Sequence, residues 1–527
     1  MRRSSLMLGT LIGVLLVTAG CTSTVTGLAT PAMSNPASAY VDPLAPLPTP
    51  PTPNITWDDC TNLIKPQLSG QPNSDRDITY GCGRLDVPVD YAHPDAKTLS
   101  LFLVKAHLAG QSNRIGSLVV NPGGPGGSGA DLAIGLSLSL PMGILQRFDV
   151  VGFDPRGVGN SAPLVCLDRA QKDAEAASPP RPNTPAEITN FTNHAHQFAS
   201  DCLSKYPNLE HLNTVETARD LDLIRNALGD DKLSYLGYSY GTELGAVYAT
   251  LFPNRVRAFV LDGAVDPTLN DVESDHQQAG GFENAYNRFL QHCIAQGSAC
   301  PLDSDPAAEV TALLQQTAAA PIASPDPKET RKATDGIVTT AIISAMYDET
   351  SWDELSKAIA SAKAGDPTGV FTLADSYNGR YTDSSGTVHF SNLLDANAAI
   401  DCNDSTQVVS LDQVESYSNA WAEQYPMFGG SFAWSLYTCT PWPTRRHPLP
   451  TITAPTAAPS LVIGTTNDPA TPYAGAINLT KALGTARLLT WDGDGHTAYP
   501  KTSCVSNAVD DYLISLSLPP NGLVCPA

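Results

Sequence analysis

Gly237-Tyr238-Ser239-Tyr240-Gly241 sets a serine between two glycines, directly after the apolar run Leu233–Leu236 and directly before a helical pattern that opens at Thr242. A serine on a sharp strand-to-helix turn is lifted above the edge of a sheet, and only glycine fits the close approaches on either side. Ser239 is therefore read as a nucleophile for acyl transfer, and the backbone N–H of Tyr240 as one donor to the developing oxyanion. A second signal is Asn121-Pro122-Gly123-Gly124-Pro125-Gly126-Gly127-Ser128-Gly129, after the apolar run Ser117–Val120. Glycines there let backbone amides face a cavity without side-chain obstruction. Gly124 is the first choice for the second oxyanion donor and Gly123 the next. A phosphate-binding loop is excluded because no Lys-Ser/Thr pair follows.

A serine nucleophile needs a base and an acid, expected in the order Ser, Asp, His. Asp468, in Thr466-Asn467-Asp468-Pro469-Ala470-Thr471-Pro472, follows the apolar run Leu461–Gly464. His496, in Gly493-Asp494-Gly495-His496-Thr497, follows Leu488–Trp491 and is the only one of the 10 histidines C-terminal to Asp468. His496 is assigned as base and Asp468 as acid, with Thr471 placed to orient the acid. Asp262 and Asp266 after the sixth strand, and Asp492 and Asp494 beside His496, are the rival acids. In this scheme His496 takes the proton of Ser239, Asp468 fixes its tautomer, and the backbone donors hold the tetrahedral intermediate.

These loops need a scaffold. Strands are expected at Leu85–Val89, Leu99–Lys105, Ser117–Asn121, Phe148–Phe153, Leu233–Gly237, Arg257–Asp262, Leu461–Gly464 and Arg487–Trp491. Runs such as Phe148–Phe153 are apolar throughout, which suits strands covered on both faces. Helical patterns at Thr214–Leu228 and Thr242–Leu251 alternate with them, so the fold class is α/β with a mostly parallel, eight-stranded sheet. The alternation stops over residues 269–452. Helical patterns there run over Glu273–Gln296, Ala307–Ala319, Thr339–Ala364 and Asp412–Gln424, which predicts a helical cap inserted between catalytic segments 57–268 and 453–527. Pro179–Pro182 is expected to be an exposed loop.

The N-terminus carries Arg2 and Arg3 and then an apolar run from Leu6 to Ala19, ~14 residues and too short to span a bilayer comfortably. Residues 1–20 read as a signal peptide. Val17-Thr18-Ala19-Gly20-Cys21 resembles a lipobox, which makes Cys21 the acceptor of a lipid anchor and places the body outside the cell membrane. Residues 21–56 are rich in proline and poor in charge, the composition of an uncored tether. With Cys21 lipidated, the 11 cysteines leave an even set. In an exported chain that set reads as disulfides. Nearest-neighbour pairing is expected: Cys60–Cys82, Cys166–Cys202, Cys293–Cys300, Cys402–Cys439 and Cys504–Cys525. No thiol is then left to act as nucleophile.

The net charge of −22 makes nucleic acid an improbable partner. No cysteine or histidine cluster has zinc-ligand spacing, and no dinucleotide fingerprint is present, so neither a metal nor an organic cofactor is expected.

Over residues 57–527 the chain resembles the secreted actinobacterial tripeptidyl aminopeptidases and the related mycobacterial envelope lipoproteins, described as carboxylesterases or serine proteases. These are proline-iminopeptidase-like α/β-hydrolases. The resemblance is carried by Leu85–Tyr91, Asn121–Gly129, Val151–Gly157, Tyr235–Thr242, Leu261–Pro267, Asp468–Pro472 and Gly495–Thr497. It implies an α/β-hydrolase fold with a helical cap, Ser239, Asp468 and His496 as the triad, and Gly124 as the oxyanion glycine. Asn121-Pro122 stands where simpler iminopeptidases open this loop with histidine. The implied activity is release of short peptides from free N-termini, often with esterase activity. A carboxylesterase or lipase acting on short acyl esters is the alternative, and a non-enzymatic envelope binding protein the remote one. An aminopeptidase needs an anion for the substrate ammonium. Glu273, Asp275, Glu283, Asp401 and Asp404 are cap candidates, and each is more often a solvated helix carboxylate.

Overall fold

The computed structural model describes residues 42–48, 50, 54–444 and 446–527. Cys21 and the expected signal peptide lie outside the described residues. Strands β1 (Thr56–Asp59), β2 (Ile78–Pro88), β3 (Thr98–Leu108), β4 (Gly116–Asn121), β5 (Phe148–Phe153), β6 (Leu233–Tyr238), β7 (Val256–Asp262), β8 (Leu461–Asn467), β9 (Arg487–Asp494) and β10 (Val524–Pro526) form one sheet. Its spatial order is β1-β2-β3-β5-β4-β6-β7-β8-β9-β10. From β5 to β10 every neighbouring pair is parallel. The β1, β2 and β3 edge is antiparallel, with β3 joined to β5.

Helices used below are α1 (Gly129–Ser139), α2 (Arg169–Ala176), α3 (Pro185–Lys205), α4 (Thr214–Ala227), α5 (Tyr240–Leu251), α6 (Asp271–Gln296), α7 (Asp335–Met346), α8 (Trp352–Lys363), α9 (Leu393–Asp404) and α10 (Leu411–Gln424).

Burial explains the strand patterns. Every residue of β4, β5 and β6 is buried. Side chains of β4, β6 and β7 alternate between two cores: Val119, Tyr235, Phe259 and Leu261 on one face, Leu118, Val120, Leu236 and Val260 on the other. Strand β2 alternates buried with exposed or half-buried positions, as suits the antiparallel edge. This is the α/β-hydrolase architecture, with helices on both faces of a largely parallel sheet.

All eight expected strands are present; two more strands of this sheet were missed, as were two short antiparallel pairs in the insertion, Ile322–Ala323 with Lys332–Ala333 and Arg380–Thr382 with Val388–Phe390. Strand β1 is four residues with two acids, and β10 is three residues ending in proline, so neither makes an apolar run. The tether also ends sooner than expected. The Pro43 carbonyl accepts from Arg219, Leu47 packs on the core, and Ile55 is buried in it.

Between β7 and β8 the chain is mostly helical, but this stretch does not stand alone. Phe282, Phe289, Ile342 and Phe428 belong to a core of its own. Two smaller cores mix it with α3 and its flanks. One joins Leu164, Cys166, Phe198 and Cys202 to Ala399, Cys402 and Trp442, and the other joins Ala195 to Val414, Trp421 and Trp434. The Pro179–Pro182 loop is part of this contact: Pro182 is buried, and Arg181 donates to Ser418 Oγ at 3.1 Å and to Asn419 Oδ1 at 2.9 Å. The single helix expected over Thr339–Ala364 is two, α7 and α8, separated at Tyr347-Asp348, where the Asp348 carboxylate caps the next turn by accepting from the Thr350 amide. All five expected disulfides are formed, with Cα separations from 4.6 Å for Cys166–Cys202 to 5.8 Å for Cys60–Cys82.

Candidate active site

Ser239 is the residue between β6 and α5, with φ 55° and ψ −128°. A non-glycine residue held there stores roughly 1–3 kcal/mol of strain, which the surroundings must enforce. The Ser239 amide donates to the Asp262 carbonyl at 2.9 Å, and Thr242 Oγ1 donates to the Ser239 carbonyl at 2.7 Å. Gly237 is required by the tight turn: a Cβ there would lie 2.3 Å from the Gly241 carbonyl oxygen.

The glycine loop after β4 lies against this turn. A Cβ on Gly123, at φ +90°, would come within 2.4 Å of the Tyr238 carbonyl and 2.9 Å of Ser239 Cβ. Asn121, buried to 1% exposure, accepts from the Gly123 amide through Oδ1 at 2.9 Å. That engagement removes Gly123 as a donor to substrate and leaves Gly124, at φ +109°, as the next loop amide. Asn121 thus braces the loop from the position where the resemblance implied a histidine was replaced. Helix α9 of the cap closes over the loop, since a Cβ on Gly126 would meet the Leu393 carbonyl at 2.5 Å.

The loops after β8 and β9 bring Asp468 and His496 together. His496 Nδ1 faces Asp468 Oδ1 at 2.9 Å and Oδ2 at 3.0 Å. Asp468 is fully enclosed and also accepts from the Ala470, Thr471 and Thr497 amides. Thr471 Oγ1 lies 3.3 Å from Nδ1, so its hydroxyl touches the base rather than the acid, while its amide holds the acid. A nitrogen flanked by two carboxylate oxygens carries the ring proton, so Nε2 is an acceptor. Nε2 is buried and has no partner among the described residues. No hydrogen bond joins it to Ser239 in this conformation. Gly263 brings the two neighbourhoods together: it follows Asp262, whose carbonyl holds Ser239, and a Cβ on it would lie 3.1 Å from His496 Cε1. Catalytic hydrogen bonds are often long in unliganded enzymes and tighten when substrate binds.

Tyr347 holds His496 from its other side. The His496 amide donates to the Tyr347 carbonyl at 2.8 Å, and the Tyr347 ring stands edge-on to the imidazole at 5.5 Å. The break between α7 and α8 is what exposes that carbonyl.

The rival acids are engaged elsewhere. Asp262 accepts from the Ala498 and Tyr499 amides, Asp266 from Thr268 and Asn478, and Asp492 from Thr466, while Asp494 pairs with Arg288. A cleft of about 520 Å³ beside α6 is lined by Glu273, His276, Tyr425 and Asp468, but not by Ser239 or His496.

A group of carboxylates adjoins the serine turn. Asp404 accepts from Thr214 Oγ1 at 2.6 Å, and the Thr214 hydroxyl in turn meets the hydroxyl of Tyr240, the residue after Ser239. Glu243 lies one turn further along α5. Burial, then the charge of Asp271, pushes Glu243 up to about 7. Asp275 is pushed up to about 7 by burial, against a lowering bond from Ser435 and with Asp271 adding to the rise. Asp401 is held well above the usual carboxylate range, first by burial and then by Asp404, Glu243, Asp275 and Asp271. The residue is nevertheless exposed to solvent rather than part of a core. Asp404 is raised in the same way, against the lowering bond from Thr214. Of the cap candidates, Asp275, Asp401 and Asp404 belong to this group. Glu273 caps α6 and lines the other cleft, and Glu283 accepts from the Met427 and Phe428 amides. Glu243 and Asp271 were missed. Glu243 was legible only as an acid one helical turn after the nucleophile.

Residues 425–525 match a family model described as TAP-like protein. The serine protease Hip1 of Mycobacterium tuberculosis is 40% identical over 463 residues, covering 84% of this chain and 87% of that protein. Carboxylesterase B of Mycobacterium tuberculosis is 37% identical over 489 residues, 90% of each chain. The tripeptidyl aminopeptidase of Streptomyces lividans is 31% identical over 478 residues, covering 88% of this chain and 84% of that protein. Identity of this extent takes in sheet and cap together, well beyond the serine motif, and makes the chain a member of the TAP-like serine hydrolases.

Proposed function

We propose that this serine hydrolase is an exopeptidase that removes di- or tripeptides from free N-termini. Ser239 is the nucleophile, His496 the base and Asp468 the acid. His496 Nε2 takes the proton of Ser239 Oγ as the oxygen attacks the scissile carbonyl. The carbonyl π electrons move to oxygen, which the amides of Gly124 and Tyr240 hold; one such donor is worth ~2.7–4 kcal/mol of transition-state stabilisation. Asp468 stabilises the imidazolium, which then protonates the leaving amine as the C–N bond breaks. Water, activated by the same histidine, releases the peptide from the acyl-enzyme.

The observation that carries the aminopeptidase reading is the carboxylate group around Tyr240. An N-terminal ammonium has a pKa of ~8 and is charged at neutral pH. Glu243, Asp271, Asp275, Asp401 and Asp404 offer it a cluster of carboxyl groups beside the nucleophile, whose ionised forms an arriving ammonium favours. A substrate held there by its amine presents a fixed number of residues before the scissile bond.

The second reading is a carboxylesterase, which the name of the 37% identical relative favours. Digestion of a peptide library, with sequencing of the released fragments, separates them. Fragments of uniform length from free N-termini, lost in Ser239→Ala, support the peptidase. Rapid ester cleavage with intact peptides supports the esterase.

The chain's first residues support export and a lipid anchor on Cys21, with the body held outside the membrane on a short tether; residues 57–268 and 453–527 form the catalytic body and 269–452 the cap. Among the described residues no helix is long and apolar enough to cross a membrane. Globomycin-sensitive processing and loss of membrane association in Cys21→Ala test this.

A further inference from the structure

Asp262 is fully buried at the C-terminal end of β7, between the two loops that carry the nucleophile and the base. Its main-chain carbonyl accepts from the Ser239 amide at 2.9 Å. Its carboxylate accepts from the Ala498 amide at 3.0 Å through Oδ2 and 3.1 Å through Oδ1, and from the Tyr499 amide at 2.7 Å. Ala498 lies two residues beyond His496. Gly263, the next residue, is fixed to β8 by its bond to the Ile463 carbonyl at 3.1 Å and sits against the His496 ring. One residue therefore grips both halves of the reacting pair, although Asp468 alone contacts the imidazole nitrogen.

We propose that Asp262 is a positioning residue for catalysis: its carbonyl fixes the turn of Ser239, its ionised carboxylate fixes the chain just beyond His496, and together they set the approach of Nε2 to Oγ. The proposal rests on Ser239 and His496 being the catalytic pair. An ionised carboxylate accepts these amides through both oxygens in charge-assisted bonds, whereas a protonated one accepts through its carbonyl oxygen alone and more weakly. Protonation of Asp262 therefore loosens the His496 loop. The groups facing it are His496 and Tyr499 from that loop, Asp468 from the end of β8 and Tyr238 from β6; Lys501 bonds the His496 carbonyl. Burial pushes the carboxyl up to about 6, against the lowering effects of the Tyr499 and Ala498 amides and His496. It thus titrates within the working range of a histidine base.

The test uses a neutral ester substrate and a neutral fluorophosphonate, which keep the amine-binding carboxylates out of the readout. In the wild type, the acid limb of kcat and of the inactivation rate should fall with a slope approaching 2, because two groups must lose protons. Asp262→Asn should lower kcat roughly 10–100-fold, the scale of a small misplacement of reacting groups. KM should stay within about twofold, and the limb should become a single ionisation. If Asp262→Asn does not fold, the wild-type slope decides alone. A wild-type slope of 1, or an Asn variant with unchanged kcat or an unchanged limb, overturns the proposal. Absence of any labelling at Ser239 would instead remove the catalytic pair on which it rests.

Discussion

Two groups of charged side chains flank helix α4, and they are built on opposite plans. On one side Arg156, with no exposed surface, donates to Asp220 at 2.6 and 2.8 Å, to Glu216 at 2.5 Å and to the Val89, His211 and Pro88 carbonyls. Tyr91 adds a hydroxyl to Asp220 at 2.8 Å. Burial opposes the Arg156 charge, but Asp220 and Glu216 outweigh it, so the guanidinium is held more firmly charged than usual. On the other side Thr214, the first residue of α4, touches Asp404 and its group of carboxylates. Among the described residues, the cation that reaches this group is Arg446, spent on the Cys402, Ser405 and Cys439 carbonyls and itself lowered by burial, with Asp271 acting the other way. The paired group is a joint in the scaffold. The other, which has no ion-paired cation among the described residues, costs stability, and the natural compensation for such a cost is a cation that arrives with the substrate.

The largest expected effect breaks the paired side. Arg156→Met leaves Asp220 and Glu216 buried without the guanidinium that neutralises them and should cost ~3–5 kcal/mol, read by urea unfolding. The same experiment on the unpaired side should go the other way. Asp401→Asn should not destabilise the fold, and it should raise KM for a free-amine tripeptide anilide ~10-fold or more, equivalent to ~1.4 kcal/mol of binding.

A pH series sharpens the contrast further. Glu243 and Asp275 are pushed up to about 7, so between their unfolded values near 4 and about 7 the folded chain binds more protons than the unfolded one. Their contribution to stability must then fall as pH rises through that window. Glu243→Gln should raise Tm at pH 8 by on the order of 1–3 °C and leave it unchanged at pH 4. In parallel, KM for amine substrates should fall as pH rises toward 7, because ionised carboxylates bind the ammonium, and rise again above ~8 as the amine loses its proton. A temperature-melt series and a KM–pH profile check the two halves.

How legible each feature was in the sequence follows the range of the contacts that make it. The serine turn, the glycine loop and the Asp468 and His496 loops are each coded by a few consecutive residues, and the structure puts them at the strand ends expected. The eight longer strands were readable because continuous apolar runs mark two-faced burial. Strands β1 and β10 were not, since pairing rather than composition makes them strands. The cap was visible as a change of pattern, but its shared cores with α3 rest on contacts such as Phe198 against Trp442, far apart in sequence. The split between α7 and α8 had a local signal in Asp348-Glu349-Thr350, an acid able to cap a new turn. The carboxylate group was the least legible: its members come from α5, α6 and α9, and only folding makes them neighbours. Asp262 was weighed as a rival acid; the structure gives its carboxylate the backbone beyond the histidine instead of the ring.

The most direct test compares cleavage of a free-amine tripeptide anilide with its N-acetylated twin, in the wild type and in Asp401→Asn/Asp404→Asn. The account predicts that the wild type strongly prefers the free amine, that the double variant loses most of that preference, and that both remain labelled by a fluorophosphonate at Ser239. Equal turnover of the two substrates by the wild type, or a preference untouched by the double variant, would contradict it.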